Sequence, residues 1–187
     1  IGWSELDEMK TSNDADARAG PDGQITDITE PKATAPGTMP GDPDQHTIDA
    51  GSEVIFEIFI ENVGDADITQ MGIKITIYED PDGQPGGPLG PVVTDSSGAP
   101  LIWQNNDVIC DDAFACPQTT LAAGAVLDGG AYLMILQGSI VTWMPDVGDY
   151  QIMVELDAEG TGGAADAEPD NDMKLQFVSV VDWTDVI

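Results

Sequence analysis

Basic residues are what this sequence lacks most. Five Lys and Arg stand against 35 Asp and Glu in 187 residues, a formal net charge of −30. Such a surface repels phosphate backbones and anionic headgroups, so nucleic acid is excluded as a partner. The same charge opposes the folded state by self-repulsion, which salt or bound divalent cations relieve. A saline setting, calcium, or both are therefore expected. Histidine is nearly absent too: His46, in the loop DPDQHTIDAG, is the single one. Catalysis by a Ser–His–Asp or Cys–His arrangement would have to use it, and an ordinary exposed loop histidine is the plainer reading. Paired carboxylates of the glycosidase kind cannot be singled out among so many acids. The chain is not expected to be an enzyme.

No uninterrupted apolar run approaches the roughly 18 residues of a membrane span, so direct membrane insertion is not expected either. The chain opens at Ile1 with no charged and apolar leader. That start is expected to be the mature end left by a removed signal peptide, which places the chain outside the cell, although a shortened chain would begin the same way. An apolar N-terminal helix of the kind that builds type IV pili or archaella is missing. Cysteine is confined to Cys110 and Cys116, in NNDVICDDAFACPQ, with no His nearby to complete a zinc site. In an exported protein this pair is expected as a disulfide rather than two free thiols, and closing so short a loop contributes about 2.4 kcal/mol before strain.

What is present is β pattern. GQITDITEP reads as a strand closed by Pro31. In SEVIFEIFIENVG, Val54, Phe56, Ile58 and Ile60 alternate onto one face, while Glu53, Glu57 and Glu61 mark the other. Ile55 and Phe59 share that acidic face, which implies a cover. ITQMGIKITIYED places Met71, Ile73, Ile75 and Ile77 on one side against Lys74, Thr76 and Tyr78, with NVGDAD as a turn, so two adjacent antiparallel strands are expected. Residues 80–130 form a long insertion suited to recognition or assembly. AYLMILQGSIVTW, DYQIMVELDAE and DMKLQFVSVVDW bring the count to about seven strands, with no helix of three turns after residue 12. The expected architecture is all-β: an immunoglobulin-like antiparallel sandwich over 23–187, with the insertion, preceded by an N-terminal extension over 1–22.

The order of features resembles the CARDB domain, an immunoglobulin-like module named for cell adhesion in bacteria and common in archaeal surface proteins. The residues that carry the likeness are Asp27-Ile28-Thr29, Gly51, Glu61-Asn62-Val63-Gly64-Asp65-Ala66-Asp67, Thr142-Trp143-Met144-Pro145 with Gly148-Asp149-Tyr150, Val154-Glu155-Leu156-Asp157, and Glu168-Pro169-Asp170-Asn171-Asp172. The pattern covers roughly residues 24–182, and the insertion at 80–130 departs from it. The resemblance implies the sandwich fold and a core-edge place for Trp143.

Two acidic turns are candidate calcium sites, because hard cations want clustered carboxylate and carbonyl oxygens. One is Glu79-Asp80-Pro81-Asp82-Gly83, with Asp80 and Asp82 as ligands. The other joins Asp157 to Glu168, Asp170 and Asp172 across a Gly/Ala-rich hairpin loop. Trp103, in the insertion, is the candidate for stacking on surface glycans. The function expected is a structural subunit of an extracellular filament, pilus or sheath. Copies of the chain would join head to tail by strand addition, through Ile1, Trp3 and Leu6 of the extension and the Ile55 and Phe59 face. A monomeric adhesion or carbohydrate-binding module is the competing expectation.

Overall fold

Alternating apolar side chains need two layers to bury them, and two packed sheets supply those layers. A computed structural model of the chain describes residues 20–35, 46–105, 120–127, 132–133, 135–136, 139–140, 143–156 and 172–182. Among these the chain is all-β without a helix. Its strands are β1 (Gly23–Glu30), β2 (Ile48–Asp49), β3 (Glu57–Asn62), β4 (Ile73–Glu79), β5 (Ile102–Asn105), β6 (Tyr132–Leu133), β7 (Ile135–Leu136), β8 (Ser139–Ile140), β9 (Gly148–Leu156) and β10 (Met173–Val181). One sheet has the order β1-β3-β6 and the other β2-β10-β9-β4-β5, while β7 and β8 pair separately. Pairing is antiparallel except between β10 and β2.

The core lies between the two larger sheets. Phe56, Ile58 and Ile60 come from the smaller one, and Ile73, Ile75, Ile77, Ile152, Val154 and Val178 from the larger, all almost fully buried. Each such aliphatic side chain contributes about 1.5–3 kcal/mol by leaving water. These are the residues the alternation selects, and the immunoglobulin-like sandwich expected from the sequence is the architecture found.

The side-by-side pairing expected of the third and fourth strands does not form. β3 pairs with β1 and β6, β4 pairs with β9 and β5, and the chain crosses from one sheet to the other between them. Each strand carries one apolar stripe, and facing the stripes across the core buries both at once. Asn62 clamps the crossing. Fully buried, it donates through Nδ2 to the carbonyls of Ala66 (2.8 Å) and Leu121 (2.9 Å), and its Oδ1 accepts from the amide of Gly64 (3.1 Å). Gly64 must be glycine here, because a Cβ would stand 2.1 Å from the Gly20 carbonyl oxygen.

Part of the long insertion is ordered against the sheet. Residues 91–93 and then β5 line the outer edge of β4: the amide of Glu79 donates to Pro91 O (3.0 Å), Val93 N to Ile77 O (2.9 Å) and Ile77 N to Leu101 O (3.3 Å). Between them, 94–100 make a short hairpin closed by Leu101 N to Val93 O (2.7 Å) and Asp95 N to Ala99 O (2.8 Å). β4 is thus an inner strand, and β5 is the edge strand on this side of the larger sheet. The edge formed by β1 is blunted. It carries two register shifts, and Lys174 reaches from β10 to the Thr26 carbonyl (2.7 Å). After the cis Glu30–Pro31 bond, the chain moves to the larger sheet, where Thr34 N donates to Phe177 O (3.0 Å).

Candidate functional site

Two acidic turns and the cleft beside one of them gather the polar chemistry among the described residues. At the first turn Asp80 points inward and is 6% exposed. Its Oδ1 accepts from the amides of Asp82 and Gly83 (both 3.2 Å), the local pattern that makes Asp a turn former. Its Oδ2 accepts from Nε2 of Gln151 (3.1 Å), a buried side chain on β9 that also donates to Gly87 O (3.3 Å). Asp80 N donates to Asp149 O (2.9 Å), so the turn is tied to β9 through both its backbone and its side chain.

This is the geometry at the first calcium candidate. The Asp80 carboxylate is occupied by hydrogen-bond donors and turned away from solvent, while Asp82, exposed, accepts from Gln84 N (3.1 Å). Among the described residues no three His, Cys, Asp or Glu side chains converge as a metal cage. Of the second candidate set, Asp172 sits just before β10, where its carbonyl accepts from Leu156 N (2.8 Å); Asp157, Glu168 and Asp170 lie outside the described residues. β9 and β10 do form the antiparallel pair this set presumes, over eight residue pairs.

At the second turn Asp95 is exposed. Its Oδ1 accepts from Ser97 N (2.8 Å), Ser97 Oγ (2.6 Å) and Ala99 N (3.0 Å). These bonds, the Ser97 hydroxyl foremost, hold its carboxyl below the usual Asp range. This turn forms one lip of a cleft of about 490 Å³, within the range of small-ligand pockets. Val93, Leu101, Trp143, Pro145 and Tyr150 give it apolar walls. Thr94, Asp95, Ser96, Met144 and Asp146 also line it.

The opposite lip is anchored. Gly51 N donates to Pro145 O (2.8 Å), and the Tyr150 hydroxyl donates to Asp146 O (2.9 Å), four residues back along the chain. A Tyr at the start of a strand that bonds the backbone just upstream is the tyrosine-corner arrangement of Greek-key sandwiches. Trp143 packs edge-on to Tyr150 with ring centroids 4.9 Å apart, in the core-edge place expected for it. Burial raises the Tyr150 pKa, helped by the negative charges of Asp146, Glu79 and Asp149.

The other sequence-selected residues fall elsewhere. Trp103, on β5, is half-buried at the core edge and packs on Phe56 (centroids 5.7 Å, planes at 47°). Ile55 is exposed and Phe59 half-buried on the outer side of the smaller sheet. Ile1, Trp3, Leu6, Cys110 and Cys116 lie outside the described residues. The cleft was not foreseen. Its one sequence signal is the turn Asp95-Ser96-Ser97-Gly98 between Val92-Val93 and Leu101-Ile102, a hairpin pattern inside the insertion.

No family model and no curated protein matches the sequence. Some solved structures are similar to this chain. A crystal structure of the CARDB domain of a Pyrococcus furiosus protein, in complex with di-metal ions, is 15% identical with a TM-score of 0.45, covering 87% of this chain and 90% of that one. A solution structure of the same domain has the same identity and TM-score and covers 97% of that chain. A Niemann-Pick type C2 protein from the Japanese carpenter ant is 12% identical with a TM-score of 0.42, covering 87% of this chain and 96% of that one. The chain is thus similar in structure to CARDB domains, as its sequence features led one to expect, at low sequence identity.

Proposed function

We propose that this chain is a structural unit of an extracellular surface assembly whose copies join head to tail, with the N-terminal extension as the connecting element. The placement of the two ends of the sandwich carries the reading. Gly20, where the extension joins the fold, is held by Asp65 at the end where β9 finishes: Gly20 N donates to Asp65 Oδ1 (2.6 Å), and a Cβ on Gly23 would touch Leu156. β10 runs to Val181 at the other end, beside β2 and the start of β9. The β1 edge is blunted as described above, and the proposal puts the contacts at the ends. Head-to-tail contacts need not close, so they give fibres.

Salt or divalent cations, calcium among them, are proposed to support the assembly by screening a net charge of −30. Negative-stain imaging and sedimentation in saline, calcium-containing buffer test the reading. Full-length chain is expected to form filaments, and a chain lacking residues 1–19 to remain a folded monomer. Normal filaments from the shortened chain would refute the role of the extension, and uniformly dispersed full-length particles would favour the monomeric adhesion module. Chelation is expected to lower the melting temperature at moderate salt.

A further inference from the structure

The cleft between the Asp95 hairpin and the Met144–Asp146 lip has the chemistry of a receptor for a basic side chain. Asp95 and Asp146 both line it, and the hydrogen bonds from Ser97 and Ala99 favour the anionic form of the Asp95 carboxylate. Behind the acids, Val93, Leu101 and Pro145 offer an apolar wall of the kind along which the methylene stem of Lys or Arg lies while its charged head stays at a polar rim. Trp143 and Tyr150 are too buried, at 4% and 8% exposure, to give a sugar ring a face to stack on. The cleft therefore favours a cation with an aliphatic stem over a carbohydrate.

Cations of that kind are scarce in this chain, and their distribution indicates the source. Of its five Lys and Arg, Lys74 is paired with Glu155 (3.4 Å) and Lys174 with Asp27 (3.4 Å) and the Thr26 carbonyl. Lys10 and Arg18 both belong to the N-terminal extension, which leaves only Lys32. The extension joins the sandwich at the end where β9 finishes, and the cleft adjoins Tyr150, where β9 starts. Six residues of strand, about 20 Å, separate the two levels. In an end-to-end stack, the end at which Gly20 sits in one copy meets the end that holds the cleft of the next.

We propose that the cleft is the acceptor site of the assembly, taking Lys10 or Arg18 from the extension of a second copy, with Asp95 and Asp146 as the anionic partners. This rests on the head-to-tail reading and supplies the acceptor which that reading leaves unspecified.

Sedimentation of the full-length chain at moderate salt tests it, with Asp146→Lys and the double variant Lys10→Glu/Arg18→Glu. Asp146 is exposed, and its carbonyl, not its carboxylate, holds Tyr150, so an unchanged circular dichroism spectrum and melting temperature are expected for Asp146→Lys. Each variant alone is expected to raise the concentration needed for assembly at least tenfold. An equimolar mixture of the two is expected to recover, because each acidic extension then meets a basic cleft and each basic extension an acidic one. Unimpaired assembly of Asp146→Lys, while loss of residues 1–19 abolishes it, would overturn the cleft assignment and leave the head-to-tail reading standing. Assembly without residues 1–19 would overturn both. A mixture that stays disassembled, while a single chain carrying all three substitutions assembles, would place the extension in its own cleft and refute the intermolecular contact.

Discussion

The turns at Asp80 and Asp95 use one device in two settings. In each, an Asp carboxylate accepts backbone amides from residues just downstream and fixes a Gly-containing turn. At Asp95 the carboxylate stays at the surface, where water can replace any bond it loses. At Asp80 it is buried and joined to Gln151, so its removal leaves donors without water to satisfy them. The comparison teaches that a shared local motif does not set its own energetic weight; burial does.

The largest effect is therefore expected from Asp80→Ala. It strands the amides of Asp82 and Gly83 together with Gln151 Nε2, and should cost about 3 kcal/mol, read from the urea midpoint. Gln151→Leu attacks the same network from the other side and should cost less, about 1–2 kcal/mol. The Gln151 Oε1 is already buried without a partner, so losing it offsets part of the damage. A Gln151→Leu variant as damaged as Asp80→Ala would show that the side-chain contact dominates over the turn amides.

Tyr150→Phe removes a partly buried hydroxyl bond and should cost about 1 kcal/mol. It also gives a pH test. The folded pKa lies above the unfolded value, so the neutral hydroxyl is favoured in the fold. That contribution is complete below the unfolded value and is lost as pH rises through the folded one. Wild type should lose stability relative to Tyr150→Phe in strongly alkaline solution.

The smallest change is expected from Asp95→Ala, with the opposite pH sign. The folded pKa is depressed, so its contribution is present above the unfolded carboxylate value and fades as pH falls through the folded one. Thermal melts of the variant and wild type should converge in acid. A substantial loss at neutral pH would mean that the hairpin stabilises more than its own turn.

The sequence made the buried faces legible and the neighbours not. Period-two alternation marks Ile58, Ile60, Ile73, Ile75 and Ile77 as inward without stating which strand lies beside which, so the third and fourth strands read as a hairpin although they face each other across the core. Asp80 sits among Pro, Gly and acids and reads as part of a cation-binding turn, while its burial against Gln151, 71 positions away, is not visible there. The cleft escaped notice for a similar reason. Its lips, Asp95 and Asp146, are brought together only by the packing of the hairpin beside the strand that starts with the tyrosine corner.

The sandwich also has a mechanical direction. The chain enters at Gly20 at one end and its last described strand leaves through Val181 at the other, with β1 and β10 both running lengthwise. Tension between these points slides β1 along β3 and β10 along β9, loading the rungs of each ladder together instead of peeling them one at a time. A unit strung this way is strongest along its long axis, the line of assembly in the head-to-tail arrangement proposed above.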